Sequence, residues 1–533
     1  LLQSNAFSAS PWSLSSATIS GGQSGYDGSN DAWIFTTSVS GAALARSFSE
    51  TGIVTFSVYA KAGSVNGIRL RIDTNSDANG FFDLVNGTST SSGDIDTNIE
   101  NIGSGWYRCS VSHNAVGPVK LQFFTTDGTS SYDNGSIYIQ SAQLETGLVA
   151  TEYLNSTSIT AKAGVLIDLP RINFDANGEN GALLLEPSRQ QLIQFSEYFG
   201  GSYWTKSRAS FVNGFTSPEG LSNSYKLVED SSNGLHGIYQ NANITIPVGT
   251  ATLSVFVKEN GRNFFQIRTG SAAGITNAPL YANFDLVNNL VTAQSVGANN
   301  AIIEQYANGW KRLSVSFTIT SGTQAALVFQ TITSGTSVIG EGYTGDGTSG
   351  VYIFGAMLEA GSYSTSYIPN HGTSGGVTRA ADSCSVTGAS DVIGQTEGTF
   401  FVDFTIPETQ GPSFFSISDG TYANRIIFGY TAGTLRYYVN SSTGGFSVSR
   451  TIDSSPVVGQ TYKIALAYKN NDFKVYKNGT NTNTETTFTT PSSLTAIDNQ
   501  GGGVGQFIFA EVKQFLLFNE RLTNAELATL TTL

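Results

Sequence analysis

Gly309-Trp310-Lys311-Arg312-Leu313-Ser314-Val315-Ser316 repeats an earlier stretch of the same chain, Gly105-Trp106-Tyr107-Arg108-Cys109-Ser110-Val111-Ser112. Both stretches alternate residue by residue, which is the period of a β-strand. Leu313, Val315 and Phe317 therefore point to one face, and Trp310, Arg312, Ser314 and Ser316 to the other. The first face is expected to feed a core, and the second carries an aromatic ring and a cation.

The duplication extends outward from this strand. Ser57-Val58-Tyr59-Ala60-Lys61 is matched by Ser254-Val255-Phe256-Val257-Lys258, and Phe82-Asp83-Leu84-Val85-Asn86 by Phe284-Asp285-Leu286-Val287-Asn288. Near the openings Ser4, Phe7, Trp12 and Asp27 match Ser196, Phe199, Trp204 and Glu219, each pair 192 apart. The separation grows to 204 at the tryptophans (310 − 106) and to 214 at Leu144-Glu145 and Leu358-Glu359 (358 − 144), which places insertions in loops of the second copy.

Composition agrees with many short strands joined by polar turns: 59 Gly, 33 Phe and 23 Tyr among 533 residues, with 12 Pro and one Met. A chain of this length predicts two to four domains. Forty acidic against 27 basic residues give a formal charge of −13. No Lys/Arg cluster could track a phosphate backbone, so nucleic acid is not an expected partner. No apolar run is long enough for a membrane-spanning helix, so membrane insertion is not expected either. The two cysteines, Cys109 and Cys384, fall in different domains, which argues against a disulfide framework. Localisation cannot be read from a leader, because the chain opens Leu1-Leu2-Gln3.

The expected fold class is all-β: two antiparallel jelly-roll sandwiches and a third sandwich with one short C-terminal helix. The expected divisions are a first repeat over 1–155, an ordered connector over 156–191, a second repeat over 192–369, a hinge over 370–394 and a third domain over 395–533. Turns are predicted at Asn470-Asn471-Asp472 and Asn478-Gly479. Thr523 and Glu526 form a capping box that starts the helix.

The repeats resemble the jelly-roll carbohydrate-binding modules found in tandem in phage tail fibres, spikes and other virion appendages. The residues that carry the likeness are Leu192-Ile193-Gln194-Phe195-Ser196 with Trp204, the Ser-Val-x-x-Lys strand, Gly309-Trp310-Lys311-Arg312 and Met357-Leu358-Glu359-Ala360-Gly361. The connector, Leu169-Pro170-Arg171 to Leu185-Glu186-Pro187, resembles the segment before such modules. Residues 395–533 resemble laminin-G or concanavalin-A-like sandwiches, on Val475-Tyr476-Lys477-Asn478-Gly479 and Leu522-Thr523-Asn524-Ala525-Glu526-Leu527.

If the Ser-Val-x-x-Lys and tryptophan strands are neighbours, Tyr59, Lys61, Trp106 and Arg108 share one face, as do Phe256, Lys258, Trp310 and Arg312. Flat rings offer a surface to the C–H side of a sugar, and the cations donate to hydroxyls or carboxylates. This strip is the expected glycan site. The competing reading is that the tryptophans seal an edge of each sandwich with arginine stacked against a ring.

The resemblance also implies a possible structural calcium. Glu145 and Glu359 are the acids named for the repeats, with Asp27 and Glu219 as alternates and Asp419 for the third domain. No other cofactor is expected. Catalysis is not expected: His113, His236 and His371 stand apart in sequence, and Asp403 and Glu408, separated by Pro407, do not share a strand face.

The resemblance implies a non-enzymatic virion adhesin, exposed on the particle surface or extracellular, that binds host-surface glycans multivalently. Its expected partners are host polysaccharide, other virion proteins and further copies of itself, with a trimer favoured. The alternatives are a purely architectural virion protein and the ancillary glycan-targeting region of a larger glycan-degrading enzyme.

Overall fold

In the computed structural model the chain is described except at residues 1–2, 74–77, 94, 159–168, 175–176, 241–243, 272–273, 322–325, 443–444 and 504. The described residues are all-β apart from a single-turn 3-10 segment and one α-helix, and the chain forms two compact units. Unit 1 comprises Leu1–Leu166, Gln191–Glu359 and Tyr367–Val377, and unit 2 comprises Ile167–Gln190, Ala360–Ser366 and Thr378–Leu533. No helix among the described residues is long and apolar enough to cross a membrane.

Unit 1 contains both repeats, and each is a pair of six-stranded antiparallel sheets. In the first repeat one sheet runs Ala17–Gln23, Ala32–Thr37, Ser136–Thr146, Thr51–Ala62, Trp106–Val116, Asp96–Gly103. In the second the corresponding order is Ala209–Phe215, Ser224–Glu229, Gly350–Ala360, Gly249–Asn260, Lys311–Ile319, Asn299–Gln305. The facing sheets also correspond strand for strand, so the sequence duplication is a duplication of topology.

The alternation of the tryptophan strand does what it predicts. Cys109 and Val111 enter the core of the first sandwich, and Leu313, Val315 and Phe317 that of the second. Each such side chain withdrawn from water contributes about 1.5–3 kcal/mol, which fixes the strand's register because a one-residue slip would turn the whole row outward. The last strand of each repeat kinks at one place, where Ser141 (φ 55°) and its counterpart Gly355 (φ 59°) take the left-handed conformation.

The end of the second repeat returns to the first. The Ile53 N–H donates to the His371 carbonyl at 2.5 Å. A Cβ on Gly52 (φ +88°) would lie 2.4 Å from that carbonyl oxygen, so glycine is required there on both counts.

Unit 2 is a sandwich of a seven-stranded and a six-stranded sheet. The connector contributes a hairpin, Ile172–Asn173 with Ala182–Leu185, which extends the larger sheet by pairing with Ala510–Phe518. Ser385–Thr387, from the stretch read as a hinge, pairs with Ala496–Asp498 in the smaller sheet. Lys469 pairs with Asp472 and Lys477 with Thr480, so both predicted turns close two-residue hairpins. The helix Asn524–Leu530 begins at Thr523, and both hydrogen bonds of the capping box are formed.

Below the hairpin Glu186 is buried, with its carboxylate against Arg171 at 2.8 Å and against Arg379. Burial alone would raise its pKa, but the two guanidinium groups hold it below the usual carboxylate range.

Candidate functional site

The predicted strip forms, but it is sealed. Trp106 pairs with Lys61 and Arg108 with Tyr59 across neighbouring antiparallel strands, so the four side chains share a face. In the second repeat Phe256 pairs with Arg312 and Val257 with Lys311, while Trp310 immediately precedes its strand and Lys258 lies one residue beyond the last pair.

Trp106 is only 2 % exposed and Trp310 1 %, and Tyr59, Arg108, Phe256 and Arg312 are also buried; Lys61 and Lys258 are half-buried. Residues far away in sequence supply the lid. Tyr26 stacks on Tyr59 with ring centroids 3.7 Å apart, and Tyr138 and Tyr153 pack on the same cluster. In the second repeat Tyr352 and Tyr367 cover Phe256, Trp310 and Phe354, and the Trp310 indole donates to the Thr216 carbonyl at 3.2 Å. The cations stack on Tyr59 (5.4 Å) and Phe256 (5.3 Å), not on the tryptophans. The expectation of an open aromatic platform on these eight residues is therefore corrected: Tyr59, Trp106, Phe256 and Trp310 belong to a second, smaller core on the outer face of each sheet, with Arg108 and Arg312 stacked on it and only Lys61 and Lys258 half-buried at its side.

An open concavity of unit 1 lies between the repeats. It is a cleft of about 480 Å³ walled on one side by Asn98, Ser110 and Ser112 and on the other by Asn213, Ser222 and Asn223. Ser110 and Ser112 are outward residues of the tryptophan strand, and the opposite wall is the end of Ala209–Phe215 with the loop that follows it. Asp96 and Glu100 also line the cleft, and among the described residues no Lys or Arg does. Hydroxyls, amides and carboxylates in a concave site suit a neutral polyhydroxylated ligand, and the lack of a cation argues against the acidic glycan that the strip would have suited.

The acids named for calcium do not converge. Glu145 is occupied by the Thr151 N–H (2.9 Å), the Thr151 hydroxyl (2.5 Å) and the Gln143 amide (2.8 Å). Glu359 is fully buried. Asp419 closes its own turn by accepting from Thr421 N–H at 2.8 Å and Asn424 at 2.9 Å. Among the described residues no three His, Cys, Asp or Glu side chains group as metal ligands.

The alternates Asp27 and Glu219 do lie at a matched constellation. Asn5, Asp27 and Asp31 of the first repeat correspond, each 192 residues on, to Glu197, Glu219 and Asn223 of the second. Either way the three positions hold two carboxylates and one amide. In the first repeat the Gln140 amide donates to Asp27 (3.1 Å) and Asp31 (2.5 Å), while Asn5 donates to Asp31 at 3.0 Å.

Phe354 stands where Gln140 would be in the second repeat. There the Asn223 amide nitrogen is shared between Glu197 (3.4 Å) and Glu219 (3.3 Å), and the Tyr367 hydroxyl donates to Glu197 at 3.1 Å. The Asn223 amide oxygen, on a side chain 6 % exposed, has no partner. Burial, and then the charge of Glu219 at the rim, push the Glu197 carboxyl up to about 8. Two carboxylates and an orphaned amide oxygen are the hard oxygen donors that Ca²⁺ takes, so these residues fit that ion where Glu145 and Glu359 do not. Glu197 and Asn223 carry no sequence signal except their correspondence with Asn5 and Asp31.

The groups considered for catalysis stay apart. The His236 ring sits between the Arg208 and Tyr343 carbonyls at 2.8 and 3.1 Å. Burial lowers the His371 pKa to about 4. Asp403 faces Lys463 at 3.8 Å and Glu408 faces Arg189, so each carboxylate has a cation of its own.

No family model matches the chain, and no curated protein matches it. Among solved structures the chain is similar to the Ruminococcus gnavus IT-sialidase CBM40 bound to alpha2,3 sialyllactose (16% identity, 27% of this chain and 87% of that one, TM-score 0.24). It is also similar to the CBM22-1-CBM22-2 tandem domain of Paenibacillus barcinonensis Xyn10C (12% identity, 66% and 93%, TM-score 0.22). A third similarity is to domains LG4-5 of the mouse laminin alpha1 chain (12% identity, 59% and 92%, TM-score 0.20).

Proposed function

We propose that the chain is a non-enzymatic glycan-binding protein whose jelly-roll unit takes neutral saccharide in the cleft between its repeats. The observation that carries this reading is the cleft itself: about 480 Å³, walled by hydroxyls and amides from both repeats together with Asp96, Glu100 and the apolar stretch Leu148-Val149-Ala150. Ordered hydroxyl and amide groups exchange hydrogen bonds with sugar hydroxyls at little reorganisation cost. A divalent cation, most naturally calcium, belongs to the same proposal as a scaffold ion held by Glu197, Glu219 and Asn223. Bound there, it would supply positive charge and fix the wall to which Asn223 belongs.

Multivalent display on a phage appendage, at the virion surface or outside the cell and as a homo-oligomer, is the setting we propose. Its support is the tandem repeat together with the sequence resemblance to such appendages, since several weak glycan sites gain avidity when linked. The absence of catalysis belongs to the proposal too, supported by the separate cation partners of Asp403 and Glu408.

The test is binding of the whole chain to a glycan array and to host cells, beside Asn213→Trp and Ser222→Trp. These exposed positions, Asn213 at the irregular end of the strand Ala209–Phe215 and Ser222 in the loop after it, would fill the cleft without entering a core. The expected result is retained folding with binding at least about tenfold weaker. A folded protein that binds no glycan and no cell would overturn the proposal in favour of a purely architectural role. Glycan binding that coexists with glycan cleavage would favour the enzyme-region alternative.

A further inference from the structure

We infer that unit 2 carries a site for an acidic saccharide on the outer face of its six-stranded sheet, built on Arg436, Tyr438 and Tyr422. The inference goes beyond the cleft of unit 1 and uses none of its residues. Leu435, Tyr437 and Val439 are fully buried in the sandwich core, so Arg436, Tyr438 and Asn440 project from the opposite face of the same strand, where all three are half-buried. Their cross-strand partners on the edge strand Phe446–Asp453 are Thr451, Ser449 and Ser447. At about 3.3 Å per residue, the row from Arg436 to Asn440 is roughly 13 Å long, which is room for a short oligosaccharide.

Two rings on this face are held in place by the protein. Tyr422 is 62 % exposed, and beneath it the Arg425 guanidinium lies 3.7 Å from the ring centre. Arg425 is itself only 3 % exposed and is anchored by donating to the Gly501 carbonyl at 2.5 Å. The Asn440 side-chain amide donates to the Tyr422 carbonyl at 2.9 Å and ties that loop to the strand. Tyr438 stands edge-on to Phe414, with ring centroids 5.3 Å apart and planes at 88°. Rings fixed in this way lose little freedom when a sugar settles on them.

Charge selects the occupant. Among the described residues neither Arg425 nor Arg436 has an ion pair. Arg436 donates only to the Thr451 and Ser449 hydroxyls, at 3.1 and 3.0 Å, so each of its two terminal nitrogens keeps a second N–H, and each hydroxyl keeps its own proton to donate. In the strands Ser413–Ser418, Asn424–Thr431, Thr434–Ser441 and Phe446–Asp453 the only carboxylate is Asp453, and it faces Lys477 at 2.6 Å. Asp498, in the next strand, is held by the N–H groups of Gln500 at 2.7 Å and Gly502 at 3.1 Å. Burial lowers the Arg425 pKa, as it does for a cation without a matched anion. A sugar that brings its own carboxylate or sulfate ester completes this face: the anion accepts from Arg436, the ring C–H groups lie on the tyrosines, and the sugar hydroxyls accept from Ser449 and Thr451.

The test is calorimetric titration of the whole chain with hexagalacturonate, whose anions are all carboxylates, with a κ-carrageenan hexasaccharide, whose anions are all sulfate esters, and with maltohexaose. It is run on wild type, Tyr422→Ala and Arg436→Gln, with the cleft variant Asn213→Trp in parallel. The expected result is that an acidic hexasaccharide binds, more weakly as salt is added, and loses at least about tenfold in affinity in Tyr422→Ala and in Arg436→Gln. That binding should persist in Asn213→Trp, and the acidic ligand that binds better identifies the anion. Tyr422→Ala removes an exposed ring and leaves the unfolding temperature unchanged, so it decides the question even if Arg436→Gln unfolds. Wild-type affinity for the acidic ligands in a folded Tyr422→Ala and Arg436→Gln would overturn the inference. So would a folded wild-type chain that binds neither acidic ligand; maltohexaose binding that is lost in Asn213→Trp would then leave the cleft reading standing, and no binding of any of the three would count against both.

Discussion

With calcium at the proposed site, the Glu197 carboxyl is expected to make the stability of the second repeat depend on both pH and calcium, in opposite senses. Its pKa is about 8 in the folded chain against an ordinary value of 4.5. Between these values the folded state binds a proton that the unfolded state does not, so stability falls as pH rises through the window. Each unit of pKa difference corresponds to about 1.4 kcal/mol, which bounds the loss between pH 4.5 and 8 at about 5 kcal/mol.

A calcium ion requires the ionised carboxylate, so its stabilising effect is absent near pH 4.5 and grows across the same window. At a hundred times its dissociation constant it contributes about 2.7 kcal/mol. The assay is thermal unfolding of the full chain at pH 5, 6.5 and 8, in chelator and in millimolar calcium, beside Glu197→Gln. In chelator at pH 8 the glutamine variant is expected to unfold at a higher temperature than wild type, and to respond little to calcium at any pH. A calcium increment independent of pH, or a glutamine variant that responds as wild type does, would refute the reasoning.

Trp310→Ala is expected to cost about 3–5 kcal/mol in chemical denaturation, because the ring is buried; an open platform residue would cost less than about 0.5 kcal/mol. Glu186→Gln removes the charge that Arg171 and Arg379 enclose and should destabilise unit 2 by about 3–5 kcal/mol, read from the denaturant midpoint. Because the Glu186 pKa is depressed in the fold, its contribution in wild type is present above pH 4.5 and is lost as pH falls below that value. Thr523→Ala deletes the side-chain arm of the capping box, leaving only its own N–H on the Glu526 carboxylate, and should cost about 1 kcal/mol, seen as faster amide exchange over Asn524–Leu530.

Wherever a property depended on neighbours along the chain, the amino-acid order was enough to determine it. The alternation about Trp106 and Trp310 predicted which residues enter the core. The two-copy spacing predicted two sandwiches of one topology, and the Asn-Gly and capping-box signals placed a hairpin and the helix. These are local regularities, set by the period of a strand, the φ that a turn demands and the unpaired N–H groups of a first helical turn.

Which surfaces stay open was decided only by tertiary structure. The outward face of the tryptophan strand reads as a binding strip because sequence shows the face but not its cover. Tyr26 and Tyr153 reach it from opposite ends of the first repeat, and Tyr352 and Tyr367 close its counterpart. Glu197 belongs to a different segment from Glu219 and Asn223, which share one loop, and their meeting depends on how that loop crosses the sandwich. A strand's period is written in successive residues, but the covering of its outer face is a contact between residues far apart in sequence, and only the folded chain brings them together.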